Sequence, residues 1–145
     1  MKLPILAITN RQRGLRFDLA FVRRMAGAAL PACVESCLKR APLKALALVE
    51  VTILSDARIA EVHGDFFDDP TPTDVITFQH GEILIGAQTV ADNARRYHQT
   101  NDEEAARCVI HGLLHLAGWD DLNARDQKKM LGLQERIFKT ARRAV

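Results

Sequence analysis

Residues 111–121 read HGLLHLAGWDD, and no other stretch of the chain narrows the choice of fold as much. His111 and His115 stand four apart, so on a helix both imidazoles leave the same face and can address a single ion. Gly118 offers a helix stop, because glycine accepts the left-handed conformation just past the last turn. The chain can then turn and bring Asp121 back as a third ligand. Two imidazoles and one carboxylate leave a fourth position for water, the layout of a catalytic rather than a structural zinc site. Leu113, Leu114 and Leu116 can pack this helix on a sheet while the histidines face a cleft. A histidine pair at this spacing is often only packed or solvated, but the glycine stop and the third ligand type favour a metal. Trp119, beside the turn, fits either a lid over the site or plain core.

Around this segment the chain reads as a single domain, residues 1–145, long enough to bury a real core. Leu3 to Thr9 is apolar and suits an edge strand. Asp18 can cap a helix from Leu19 to about Arg40, which Pro31 kinks or divides. Ala45 to Leu54 alternates, with Val49, Val51 and Ile53 on one face. Ser55-Asp56 caps a short helix to Gly64, followed by the acidic loop Asp65 to Thr73. Val75 to Gln79 and Glu82 to Ile85 are short strands joined by a tight turn at His80-Gly81. Ala87 to His98 has helical spacing. Asn101 with Glu104 makes a box-like start to the metal helix, Asp102 to Ala117. The last helix, Asn123 to Arg142, lines up Met130, Leu133, Ile137 and Ala141 along one stripe. This order predicts an α+β fold, a small mixed sheet packed by about five helices.

Several function classes drop out on composition. No apolar run approaches the roughly 18 residues of a membrane span. The opening MKLPILAITN is too short in apolar length for a secretory signal, so the cytoplasm is the default compartment. Cys33, Cys37 and Cys108 are an odd number and form no disulfide framework; they read as small buried hydrophobes. Cys33 with Cys37, or Cys108 near His111, remain further ligand options. The net charge of +2 conceals an asymmetry. Residues 1–58 carry 10 basic and 4 acidic side chains, residues 59–104 carry 2 and 10, and residues 105–145 carry 8 and 4. The basic ends would hold a polyanion and the middle would repel it, unless the blocks simply pair with each other once folded.

Two families are similar at the metal-site spacing. The metzincin proteases read HExxHxxGxxH, and the chain shares their two helix histidines and the glycine. Gly112 stands where their general-base glutamate would be. The closer resemblance is to the YbeY family of metal-dependent endoribonucleases, with a hallmark similar to HGxLHLxGYDH. His111, Gly112, Leu114, His115, Leu116, Gly118 and Asp120 match it, and Trp119 replaces the tyrosine. Pro72-Thr73-Asp74-Val75-Ile76-Thr77-Phe78 resembles the family's PTDVLSF strand, and Gly81-Glu82-Ile83-Leu84-Ile85 resembles its next strand. The chain departs from the pattern twice. Asp121 replaces the third histidine, and the family's usual arginine, thought to contact RNA, falls on Phe67.

The resemblance implies a single zinc ion on His111, His115 and Asp121, and a hydrolase that cuts single-stranded RNA. It also implies ribosomal RNA and the small ribosomal subunit as partners, in rRNA 3′-end maturation, ribosome biogenesis and quality control. A metal-bound water would be the nucleophile. Asp74 is the candidate for holding a histidine's free N–H, or else caps a turn. His63 and His80 are either surface histidines or neighbours of the cleft. Lys128, Lys129 and Arg136 on the last helix are candidate RNA contacts. Two alternatives stay open, a metzincin-like hydrolase or protease and a non-catalytic ribosome-associated protein that keeps zinc for stability.

Overall fold

Four strands, β1 (Ile5–Asn10), β2 (Leu48–Leu54), β3 (Val75–Phe78) and β4 (Glu82–Gly86), form one sheet in the order β1-β2-β4-β3. The first three in that order are parallel, and β3 returns antiparallel to β4 across the turn at Gly81. Side chains alternate across a strand, so each face takes every second residue. Val49, Val51, Ile53, Ile83 and Ile85 enter the main core of 29 buried residues, as the alternation predicts. Leu84 and Ile76 point to the opposite face, where they meet Ile59 in a cluster of three.

Five helices complete the computed structural model, which describes residues Met1–Val145: α1 (Leu19–Glu35), α2 (Asp56–Phe67), α3 (Ala87–Arg96), α4 (Asn101–Leu116) and α5 (Ala124–Ala144). The architecture is α+β with a small mixed sheet, as the element order predicts. Helices α1, α4 and α5 pack on one another and supply the main core with residues such as Val22, Leu113 and Phe138. Helix α2 covers part of the second face through Ile59. No helix is long and apolar enough to cross a membrane.

Three local expectations shift. α1 runs through Pro31 but ends at Glu35 rather than near Arg40. Beyond it the Leu38 amide donates to the Ala117 carbonyl at 2.8 Å, and Arg40 adopts φ 70°, so the chain leaves the helix to meet the end of α4. α2 passes Gly64 and stops at Phe67, with Asp68 at φ 55° as its left-handed cap. The start of α4 is one residue earlier than expected. Thr100 is the cap, its hydroxyl accepts from the Glu103 amide, and the Glu103 carboxylate accepts from the Thr100 amide. The same box logic applies at Thr100/Glu103 rather than at Asn101/Glu104.

Glycine has a specific purpose at position 112. A Cβ there would lie 2.7 Å from Ile83 Cδ1 and 2.9 Å from its Cγ2, so α4 packs so close to β4 that any larger residue forces Ile83 or the helix to shift. The residue that occupies the protease glutamate position is therefore a packing contact facing the sheet.

Candidate metal centre

Helix α4 delivers His111 and His115 one turn apart, and its C-terminus ends in a Schellman motif. The Trp119 amide donates to the Leu114 carbonyl and the Gly118 amide to the His115 carbonyl, both at 3.0 Å, with Gly118 at φ 100°. This reversal is the helix stop expected from the glycine, and it carries Asp121 back over the last turn. Asp121 Oδ2 lies 3.6 Å from His111 Nε2 and 3.9 Å from His115 Nε2. The two Nε2 atoms are 3.0 Å apart. The three side chains form a group whose ligand atoms all lie within 4.8 Å of one another.

The tautomers follow from the outer hydrogen bonds. The Trp119 carbonyl meets His115 Nδ1 at 3.0 Å, and a carbonyl only accepts, so that nitrogen carries the proton. Gln134 Oε1 meets His111 Nδ1 at 2.7 Å, while Gln134 Nε2 donates to Glu135 Oε2 at 3.3 Å. That donation orients the amide, so His111 is also protonated on Nδ1. Both Nε2 lone pairs therefore point into the same small space beside a carboxylate. Lone pairs converging in this way repel unless they share a cation or a proton. Ligand atoms at about 2.0–2.1 Å around a tetrahedral zinc are about 3.3 Å apart, and the observed 3.0, 3.6 and 3.9 Å bracket that spacing. The donor set fits the ion. Burial first, then the neighbouring His111, pushes the His115 imidazole below its ordinary pKa, which favours the neutral form a metal requires.

The outer partners differ from the sequence expectation. Asp74 lines the cleft but bonds neither imidazole; its side chain meets only Thr73 Oγ1, at 3.4 Å. The partner of His111 is Gln134, a buried polar residue on the inner face of α5. Behind it Arg107 donates to both Glu135 oxygens at 3.2 Å and to Gln99 Oε1 at 2.8 Å, with its guanidinium 3.8 Å from the Phe138 ring centre. This ties α4 to α5 behind the candidate ligands. The signal for Gln134 was present in the sequence, as a lone polar residue between Met130 and Ile137 on an otherwise apolar stripe. Trp119 is no lid. Its indole N–H donates to the Ser36 carbonyl at 3.1 Å and anchors the reversing loop to the end of α1.

The cleft itself has a volume of about 360 Å³, and its walls include His63, Phe67 and Thr77 beside the three candidate ligands. His63 thus does reach the cleft, with Nδ1 held by the Thr71 carbonyl at 2.9 Å. His80 does not; it lies over the other face of the sheet, 3.3 Å from Glu82. Lys128, Lys129 and Arg136 stand apart from the metal cleft. They surround a separate hollow of about 660 Å³ with Trp119 and Ser36. Cys108 stays outside the ligand group, and burial holds its thiol well above the usual range. Burial, with Cys37 nearby, likewise raises Cys33 to about 12, so neither thiol offers a ready thiolate.

Comparison with known proteins finds relatives along most of the chain. The family model described as Endoribonuclease YbeY matches residues 8–142. A relative from Protochlamydia amoebophila, also named Endoribonuclease YbeY, is 30% identical over 133 residues, covering 84% of this chain and 83% of its own. Relatives of that name from Treponema pallidum and Thermotoga neapolitana are 33% and 40% identical, with 62% and 52% of this chain aligned. The chain spans 66% and 57% of the length of those two relatives. The solution structure of a Thermotoga maritima protein superposes with a TM-score of 0.63 at 26% identity, covering 94% of this chain and 89% of that one. The helix-borne histidine pair, the glycine reversal and a family match over nearly the whole chain lead to one assignment: this protein belongs to the YbeY endoribonuclease family.

Proposed function

We propose that the chain is a zinc-dependent endoribonuclease that cleaves single-stranded RNA in the cleft between α4 and β3. The observation that carries the reading is the convergence of two Nε2 lone pairs and one carboxylate at the wall of that cleft. His111, His115 and Asp121 would hold one ion. When bound, the ion polarises a phosphate oxygen and lowers the pKa of a water ligand from about 16 towards about 7.

The chain's own groups do the rest. Gln134 and the Trp119 carbonyl hold the two rings so that both Nε2 atoms stay deprotonated and aimed at one point. Asp121 brings a negative charge where the family pattern has a neutral imidazole, which lowers the site's net charge by one. No glutamate follows His111, where Gly112 is instead pressed against Ile83. This argues against a metzincin-type peptidase and suits phosphodiester hydrolysis, in which the nucleophile is generated without a strong protein base. Lys128, Lys129 and Arg136 form a cationic border around the Trp119 hollow, suited to the phosphates of a strand leaving the cleft.

The family resemblance supports a finer reading: a cytoplasmic enzyme acting on ribosomal RNA of the small subunit, in 3′-end maturation and quality control. The deciding experiment is cleavage of single-stranded RNA by the purified protein with and without chelator, followed by zinc repletion. Cleavage that disappears with the metal and returns with zinc is expected. Stoichiometric zinc with no cleavage would instead mark a zinc-stabilised, non-catalytic ribosome-associated protein.

A further inference from the structure

One set of rings leads out of the cleft and is not used by the chemistry above. His63 and Phe67 have ring centres 5.7 Å apart, Phe67 and Phe78 are 6.0 Å apart, and Phe78 and His80 are 5.7 Å apart. Phe66 sits beside this row, 5.2 Å from Phe78. The row begins on the last turn of α2, at residues that line the metal cleft, and ends at the β3–β4 turn in a second hollow of about 710 Å³. Phe66 is 68% exposed and Phe67 is 52% exposed. Large apolar rings left in water in a contiguous group mark a contact surface more often than leftover core.

The geometry points to a stacking platform for unpaired bases. Phe66 and Phe67, the exposed phenylalanines of this row, lie beside the cleft with Phe78 half-buried behind them, and exposed rings suit a single strand, because every base presents a π-face and stacking tolerates any sequence. Phe67 shares a wall with His111, His115 and Asp121, so a strand with its scissile phosphate at the metal places an adjacent nucleotide against that ring. The charges around the row set the strand's orientation. Arg58 is engaged by Glu61 at 2.6 Å, His80 lies 3.3 Å from Glu82, and Asp65 and Asp68 flank the helix end. Glu50 and Glu82 also line the hollow, where Arg11 is the one cation without a carboxylate partner, so the row itself offers phosphates little. The bases face the rings and the backbone faces outward, so this surface contributes affinity without counterion release. The inference rests on the reading of the cleft as an RNA-cleaving centre.

The test uses zinc-loaded protein and a labelled single-stranded RNA of about 12 nucleotides, within the range of single-strand site sizes. Affinity is read by fluorescence anisotropy across a salt series, with RNA integrity checked on a gel. Phe66→Ala and Phe67→Ala should each weaken binding about tenfold. The log–log salt slope should not change, since neither ring neutralises a phosphate. Phe67→Trp should retain affinity and Phe67→Leu should behave like the alanine variant, because leucine keeps the apolar bulk without the π-face. Wild-type protein that binds RNA normally, together with a Phe66→Ala/Phe67→Ala variant of unchanged affinity, would overturn the platform and leave the nuclease reading standing. Leucine equal to phenylalanine at position 67 would also overturn stacking. If the double variant instead loses self-association in sedimentation with RNA affinity unchanged, the rings serve a second copy of the chain and the proposal fails. A wild-type protein with no affinity for single-stranded RNA would remove the nuclease reading, and the platform with it.

Discussion

Gln134→Leu removes the acceptor 2.7 Å from His111 Nδ1 while keeping a side chain of similar length on the buried face of α5. The ring then has nothing to fix its tilt or its tautomer, and Nε2 no longer has to stay deprotonated and aimed at Asp121. Loss of such an orienting partner typically weakens metal binding by about 10- to 100-fold, or about 1.4–2.7 kcal/mol. The other bond of the Gln134 amide, to Glu135 at 3.3 Å, is long, so its loss contributes little. In metal-free protein the unpaired imidazole N–H costs about 1 kcal/mol, partly offset by the added apolar contact, so Tm should fall by no more than about 3 °C. With zinc in excess the gap widens, because a hundredfold weaker site forfeits about 2.7 kcal/mol of ligand-linked stability. Competition for zinc against a chromogenic chelator, paired with melting curves at several zinc concentrations, measures both effects. Gln134→Glu restores an acceptor at the same place and should retain affinity. A leucine variant whose zinc affinity lies within twofold of wild type would refute the reasoning that this side chain holds the ligand.

Asp121→His should keep metal binding, since either side chain supplies a ligand atom at the end of the same short turn. Asp121→Ala should weaken it by about tenfold to a hundredfold or more, and equal titration curves for alanine and wild type would exclude Asp121 as a ligand. Neutralising Lys128, Lys129 and Arg136 together should flatten the salt dependence of RNA binding, by roughly 0.7 in log–log slope for each phosphate that is no longer neutralised. Tm should barely move, because exposed helix charges add little to folding; an unchanged slope would mean these cations are plain solvated surface. Gly112→Ala should destabilise by about 1–3 kcal/mol in urea unfolding, because the new methyl meets Ile83 at 2.7 Å and α4 must lift from β4. A neutral or stabilising result there would show that Ile83 can swing aside.

Sequence alone carried what depends on neighbours along the chain. The i, i+4 spacing of His111 and His115 determines that both rings share a face on any helix. Gly118 determines that the chain can reverse there, and the reversal is what returns Asp121. Alternation in β2 named the inward residues, and capping chemistry located the start of α4 to within one residue, at Thr100. Tertiary structure decided what depends on contacts between distant segments. Asp74 lies within the matched strand motif and looked like the orienter, yet the packing of α5 on α4 put Gln134 there, 23 residues from His111. The sheet order β1-β2-β4-β3 and the row from Phe67 to Phe78 are likewise products of how the layers meet. The division has a physical origin. Backbone geometry repeats with a short period and can be read from spacing, whereas which side chain meets a given polar atom is set by the packing of the whole core, where many partners are compatible with the same local pattern.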